Sequence, residues 1–328
     1  MSRVALVNAS TPTYNLGLAK ARHWWQRQGA EVSMLSNLLP METPDFDEVW
    51  VSVIFSWHIP KALEIIRQAQ FFHRPCEIGG PGTFGVRSLI RERTGLEAQA
   101  TPDPRFEREP GAYPMVFWSR GCPAKNCTLG FPRNGASPIC SVPEMEGWRY
   151  TLYPDVTPAP IIMDNNLSAL PRAHQDVIVD RTLTASFVQV DANSGFEPRS
   201  FRTDTVQRWK RLPLKCWRFA YDELAEGAAV RRMMAILDEA DVPRRARRIY
   251  CLAGNEPIAD CEQRVSEINE WGCYPIVQRR RPLDWIGGPL PVLHDWSEQR
   301  LIDFQRWGNR LAKGIPFAEY RRGYKADA

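Results

Sequence analysis

No apolar run in the chain approaches the ~18–20 residues that a bilayer span requires. The first ten residues, MSRVALVNAS, have no charged leader before an apolar core and read as a buried strand, so a cytoplasmic location is expected and no membrane partner. There is no internal repeat and no low-complexity segment, which excludes an array or a solenoid. Net charge is also scarce: 42 Lys and Arg stand against 38 Asp and Glu, leaving +4, too little to choose a class of partner. Positive residues do concentrate in 199–248 and again in 279–322, so a solvated helical face competes there with a nucleotide or nucleic-acid surface.

At 328 residues the chain has room for one large domain and a smaller one. Residues 1–105 alternate short apolar runs (4–7, 32–35, 49–55, 76–80) with helical stretches (15–28, 60–72). That alternation predicts a doubly wound, flavodoxin-like parallel sheet. The proline-rich, charged stretch 101–111 reads as a linker. A second alternation spans 112–286, with candidate strands at 115–118, 161–164, 187–191, 216–221, 248–253 and 274–278 and helices at 230–240 and 258–271. Six such units are too few to close an eight-stranded barrel, so an open, partial (β/α)6 barrel is expected. Residues 287–328 read as a C-terminal helical extension, with a helix at 297–312.

Chemistry in such a fold gathers at the C-terminal ends of the strands. Polar residues stand there after each candidate strand, including Asp164-Asn165-Asn166, Asp191 and Asn193, Asp222-Glu223, and Asn255-Glu256. The first strand leads instead into 119–147, a glycine- and proline-rich loop carrying Cys122, Cys127 and Cys140. The other five cysteines are scattered singly and read as small core residues. Three thiolates on one loop suit an iron–sulfur cluster. With a fourth ligand such as His174 they would also suit zinc, although structural zinc sites favour paired C-x2–4-C knuckles.

The segments S-R-G-C-P at 119–123 and C-S-V-P-E-M-E-G at 140–147, with Cys127 between them, resemble the radical S-adenosylmethionine (SAM) enzymes. D-N-N-L at 164–167, D-A-N-S-G-F-E-P-R at 191–199 and G-N-E-P at 254–257 resemble one branch of that superfamily, a phage-type branch with an N-terminal cobalamin-binding-like domain. The resemblance covers about residues 113–285. It implies a [4Fe–4S] cluster on Cys122, Cys127 and Cys140, with SAM chelating the iron that has no protein ligand. An electron from the cluster would then cleave SAM to a 5′-deoxyadenosyl radical. It further implies SAM contacts from Ile139, Asp164, Asn165, Asn166, Asp191, Asn193, Asn255 and Glu256, and an external reductant such as flavodoxin or ferredoxin. The substrate, nucleic acid or nucleotide among the candidates, and the catalytic residues are left open by it.

Two features depart from the family pattern. The cysteine spacing is Cys-x4-Cys-x12-Cys rather than Cys-x3-Cys-x2-Cys, and 128–139 reads as a looped-out excursion that returns Cys140 to the cluster. Such an insertion is thermodynamically mild, at ~0.6 kcal/mol per doubling of loop length. The stretch NASTPTYNLG at 8–17 lacks the histidine that cobalamin domains of this class carry, although the glycine pair Gly79-Gly80 matches their later turn. On that ground the N-terminal domain is expected to serve for fold and docking rather than to bind cobalamin. Two alternatives stand beside the enzyme reading: a radical-SAM-like scaffold without a cluster, and a zinc-binding interaction module.

Overall fold

The computed structural model describes residues 1–99, 103–109, 114–122, 129, 137–138, 140, 151–310 and 315–320. By packing they divide into two compact units, 1–157 with 282–288 and 158–281 with 289–328. The domain boundaries drawn from the sequence at 105, 112 and 286 stand as proposals about folding units.

In the first unit, β1 (Arg3–Asn8), β2 (Glu31–Leu35), β3 (Glu48–Ser52) and β4 (Cys76–Gly79) form a parallel sheet in the order β2-β1-β3-β4. Successive side chains on a strand point to opposite faces. Ala5, Val7, Val49 and Val51 therefore pack on one side, against Ile59, Ala62, Ile65 and Ile66 of α2 (Ile59–Phe71) and Ile90 of α3 (Arg87–Thr94). Val4, Leu6 and Trp50 face the other way, against Leu18 and Ala21 of α1 (Leu16–Arg27). Helices cover both faces, and the sheet is doubly wound as expected. Helix α1 starts where the Asn15 side chain accepts the Leu18 N–H at 3.0 Å. It stops before Gly29, whose φ of 80° a side chain would resist.

The stretch read as a linker packs where it is described. Phe106 lies against Trp50, and the Arg105 guanidinium sits 4.5 Å over the Trp50 ring. Beyond it come β5 (Met115–Val116), β6 (Ser119–Arg120) and β7 (Thr151–Leu152).

The second unit is an open parallel array. β8 (Ile161–Ile162) pairs with β9 (Asp191–Ala192), and β10 (Trp217–Ala220), β11 (Arg247–Ala253) and β12 (Tyr274–Arg279) pair in that order. Isolated parallel bridges, Val190 to Leu214 and Phe196 to Phe219, carry the pairing from β9 to β10. Each strand is followed by a helix: α4 (Arg172–Thr184), α5 (Thr203–Trp209), α6 (Gly227–Glu239), α7 (Ile258–Glu270) and α8 (Glu298–Arg310). Among the described residues no pairing returns β12 to β8, so the barrel is partial. β9 is displaced from the expected 187–191. Ser186 adopts a φ of 53° and Val188 is 97% exposed, so the start of that run lies outside the sheet and only Val190 enters the core. Helix α8 covers the edge of β12. Its Asn309 side chain accepts the Val277 N–H at 2.7 Å, and Gly308 permits the approach, since a Cβ there would lie 2.4 Å from Val277 Cγ2.

The two-sided sheet gives a direct test. Ile66, on the sheet-facing side of α2, is fully buried, whereas Leu39 is 45% exposed. Ile66→Ala is expected to cost about 2–5 kcal/mol in urea unfolding, and Leu39→Ala less than about 0.5 kcal/mol.

Candidate functional site

The cysteine loop is closed twice. Its outer stem is the antiparallel pair β6–β7, in which Ser119 faces Leu152 and Arg120 faces Thr151. The Tyr153 N–H extends that stem by donating to the Trp118 carbonyl at 2.8 Å. Gly121, with φ of 105°, turns the chain from the stem into Cys122. The inner stem, among the described residues, is marked by the hydrogen bond from the Cys140 N–H to the Leu129 carbonyl at 3.0 Å. The insertion therefore leaves and returns at one place, and Cys140 lies beside a residue only two positions past Cys127. Cys122 and Cys140 are both half-buried. Cys127 and Ile139 lie outside the described residues.

Charge anchors the outer stem. Arg120 Nε donates to Glu107 Oε1 at 2.9 Å, and Lys20 Nζ stands 3.7 Å from the same oxygen while donating to the Glu107 carbonyl. These three side chains are each about a tenth exposed. Burial lowers the Lys20 ammonium, and Glu107 opposes that effect. The Arg120 guanidinium also lies 3.7 Å over the Phe117 ring. Losing Glu107 would leave two buried cations, so this trio fixes where the loop begins.

In the second unit the strand-end polar groups are wired to one another. Asp191 is held bidentate by Arg218, with both oxygens 2.7 Å from Nη2, and Lys215 is 3.7 Å away. Arg218 also donates to the Tyr250 hydroxyl at 3.0 Å. Asn193 donates to Met163 Sδ at 3.3 Å. Asp164 is fully buried. Asn166 caps the short turn Leu167–Ala169, accepting the Ala169 N–H at 3.2 Å.

The loops after β10 and β11 are laced together. Asp222 accepts the Leu252 N–H at 3.0 Å, Glu256 accepts the Leu224 N–H at 2.9 Å, and Asn255 donates to Glu223 at 3.2 Å. At their centre is Arg264, fully buried on α7. It donates to the Tyr221 and Leu252 carbonyls at 2.6 and 2.9 Å and to the sulfurs of Cys251 and Cys261 at 2.8 and 3.1 Å. It also pairs with Glu256 at 3.0 Å. Burial pushes the Cys251 thiol up to about 12, against the pull of Arg264. Burial likewise raises Asp222 to about 6 and Glu226 to about 7, Asp222 adding to the second shift.

Of the residues singled out from sequence, the structure therefore engages Asp191, Asn193, Asn166, Asn255 and Glu256 in named contacts, and places Asp164 in the interior. His174, the alternative zinc ligand, is buried on α4. Sequence reasoning missed Arg264, Arg218 and the Lys20–Glu107–Arg120 trio. Arg264 had a signal: it lies on the same helical face as Ile258, Cys261, Val265 and Ile268, where a charge needs buried partners.

No protein-family profile and no curated protein matches the sequence. Solved structures do. The radical S-adenosylmethionine methyltransferase TsrM from Kitasatospora setae, determined with cobalamin and a [4Fe–4S] cluster bound, superposes with a TM-score of 0.63 at 13% identity, over 85% of this chain and 75% of that one. The chain has that enzyme's fold. The apo form of the cobalamin-dependent S-adenosylmethionine radical enzyme OxsB aligns over 81% of this chain and 51% of its own, with a TM-score of 0.48 and 14% identity.

Glu226 makes the electrostatics of this region measurable. The folded chain keeps its proton over a range in which the unfolded chain has released it. Stability is then highest below the unfolded carboxyl value and falls as pH rises through about 7. Urea unfolding is expected to show a decline on the order of 2 kcal/mol between about pH 5 and pH 8, and Glu226→Gln should flatten it.

Proposed function

We propose that this chain is a radical SAM enzyme that holds a [4Fe–4S] cluster on Cys122, Cys127 and Cys140. One observation carries the reading: the Cys140–Leu129 hydrogen bond, which closes the atypical insertion on itself. The donor set suits the group, being three thiols on one loop, of which Cys122 and Cys140 are half-buried rather than sealed in the core. The fold shared with TsrM supports it. When bound, such a cluster supplies the electron that cleaves SAM.

The chain's own part is to position and shield. Glu107 and the β6–β7 stem hold Cys122, and the Leu129 carbonyl holds Cys140. In this reading Asp164, Asn165, Asn166, Asn193, Asn255 and Ile139 contact SAM, while Asp191 and Glu256 meet it as carboxylates already ion-paired with Arg218 and Arg264. A flavodoxin or ferredoxin is the proposed reductant. A nucleotide or nucleic acid is the proposed substrate class, met by the arginine-rich stretch 199–248, in which Arg199, Arg211 and Arg244 stay about half exposed while ion-paired within the chain.

A second reading adds cobalamin, because TsrM carries it on this fold. The first unit would have to bind it without a histidine from the β1 loop. His58, near the end of β3, is engaged through Nδ1 with Ser10 Oγ at 2.9 Å. That oxygen also accepts the Ile54 N–H at 2.9 Å, so His58 is tied to the β1 and β3 loops through Ser10. The glycine turn is accounted for by packing, since a Cβ on Gly80 would lie 2.4 Å from the Val53 carbonyl oxygen.

Anaerobic reconstitution tests the proposal. The expected product is a brown protein with about four irons and four sulfides per chain, lost in the Cys122/Cys127/Cys140 triple alanine variant. With SAM and reductant it should release 5′-deoxyadenosine. S-adenosylhomocysteine formed only when cobalamin is added would favour the second reading, and a colourless zinc protein would overturn both.

A further inference from the structure

Residues 282–288 pack as part of the first unit although they follow β12 in the chain. They are fastened at one end to the tip of the sheet. Ser56 Oγ donates to the Trp285 carbonyl at 2.6 Å, Trp57 and Trp285 pack with centroids 5.9 Å apart, and Ile286 packs against the core beneath α2. Gly85 lets the strap lie flush, since a Cβ there would come within 2.5 Å of the Leu283 carbonyl carbon. The other end grips the cysteine loop. The Leu283 N–H donates to the Pro138 carbonyl at 2.9 Å, and Ser137 Oγ donates to Asp284 Oδ2 at 2.7 Å.

We propose that this strap is a positioning element for Cys140, with Asp284 as its key residue. The inference rests on the cluster reading for its purpose but not for its geometry. Cys140 stands between two fixed points: its own N–H is held by Leu129, and residues 137–138, two positions upstream, are held by 283–284. The insertion that breaks the usual cysteine spacing is therefore clamped at its base and on its returning arm. An insertion held only at its base would leave the third thiol free to swing. A charge-assisted hydrogen bond to the Asp284 carboxylate suits this purpose, because it fixes direction as well as distance. The strap's other attachments, at Ser56, Trp57 and the α2 core, are to rigid elements, so it transmits their position to the loop.

The experiment compares wild type, Asp284→Ala, Asp284→Asn and Ser137→Ala in the full chain. Two readouts are taken. The first is the rate of iron loss from the anaerobically reconstituted protein to an iron(II) chelator. Loss is expected to be about tenfold faster in Asp284→Ala and Ser137→Ala, the scale at which supporting partners of a ligand act. Asp284→Asn, whose amide oxygen still accepts the Ser137 hydroxyl, should retain the wild-type rate. The second needs no cluster: the rate at which iodoacetamide alkylates Cys140 relative to Cys122 in the apo-protein, read by peptide mass spectrometry. That ratio should change severalfold in the alanine variants, with unchanged thermal melting, and return in Asp284→Asn. Wild-type values of both readouts in Asp284→Ala would overturn the positioning role. A wild-type protein that loads no iron, but whose Cys140 alkylation ratio still follows Asp284, would leave the strap standing and overturn the cluster reading instead.

Discussion

The hydrogen bond from Cys140 to Leu129 is the constraint on which the site depends. The spacing of the three cysteines departs from the usual pattern by one extra residue after Cys122 and, chiefly, by the intervening residues 128–139. That bond joins Leu129 to Cys140, so in the proposed cluster reading the chain that bears the cysteines is effectively short. The closure entropy of a loop this size is modest and grows slowly with length. What matters is whether the loop's ends are held, and they are. The outer stem β6–β7 is locked by the buried Lys20–Glu107–Arg120 trio, and the returning arm is docked on 283–284. Cys122 and Cys140 thus each follow from a separate anchorage.

The second unit shows a different use of polarity. Carboxylates and amides around β9, β10 and β11 meet arginines and backbone amides of the neighbouring elements. Arg264 alone joins the segments around Tyr221, Leu252 and Glu256. A guanidinium in the interior needs this many acceptors, because each unsatisfied donor there would carry a desolvation penalty. The result is a rim whose loops cannot shift independently. In the proposed reading, preorganised polar surroundings of this kind suit the control of a reactive species. The same lattice holds Asp222 and Glu226 as carboxyls that titrate near neutrality.

Much of the fold was legible in the sequence because its elements follow simple periodicities. The run 49–55 marked β3, the helical stretch 15–28 marked α1, and the alternation predicted a doubly wound sheet followed by a partial barrel. What stayed hidden depended on tertiary contacts. Helix α4, RAHQDVIVDRTLT, has no clean apolar stripe, since its buried face includes His174, Gln175 and Thr182. The stretch 103–109 is polar by composition yet packs, because Phe106 and Arg105 find Trp50 and Glu107 finds Lys20. The candidate site divides in the same way. Its cysteines were visible from residue type and order, whereas Arg218 and Arg264 gain their meaning only from partners far away in sequence. Asn166 shows the reverse: a residue singled out for a ligand also caps its own turn.

Mössbauer spectroscopy of the iron-reconstituted protein, recorded before and after SAM is added, tests the central claim most directly. A cluster held by three cysteines has one iron without a protein ligand. The account predicts a single [4Fe–4S] species in which that one iron site responds to SAM, and loss of the response in Cys140→Ala. A cluster indifferent to SAM, or one that assembles identically in Cys140→Ala, would contradict it.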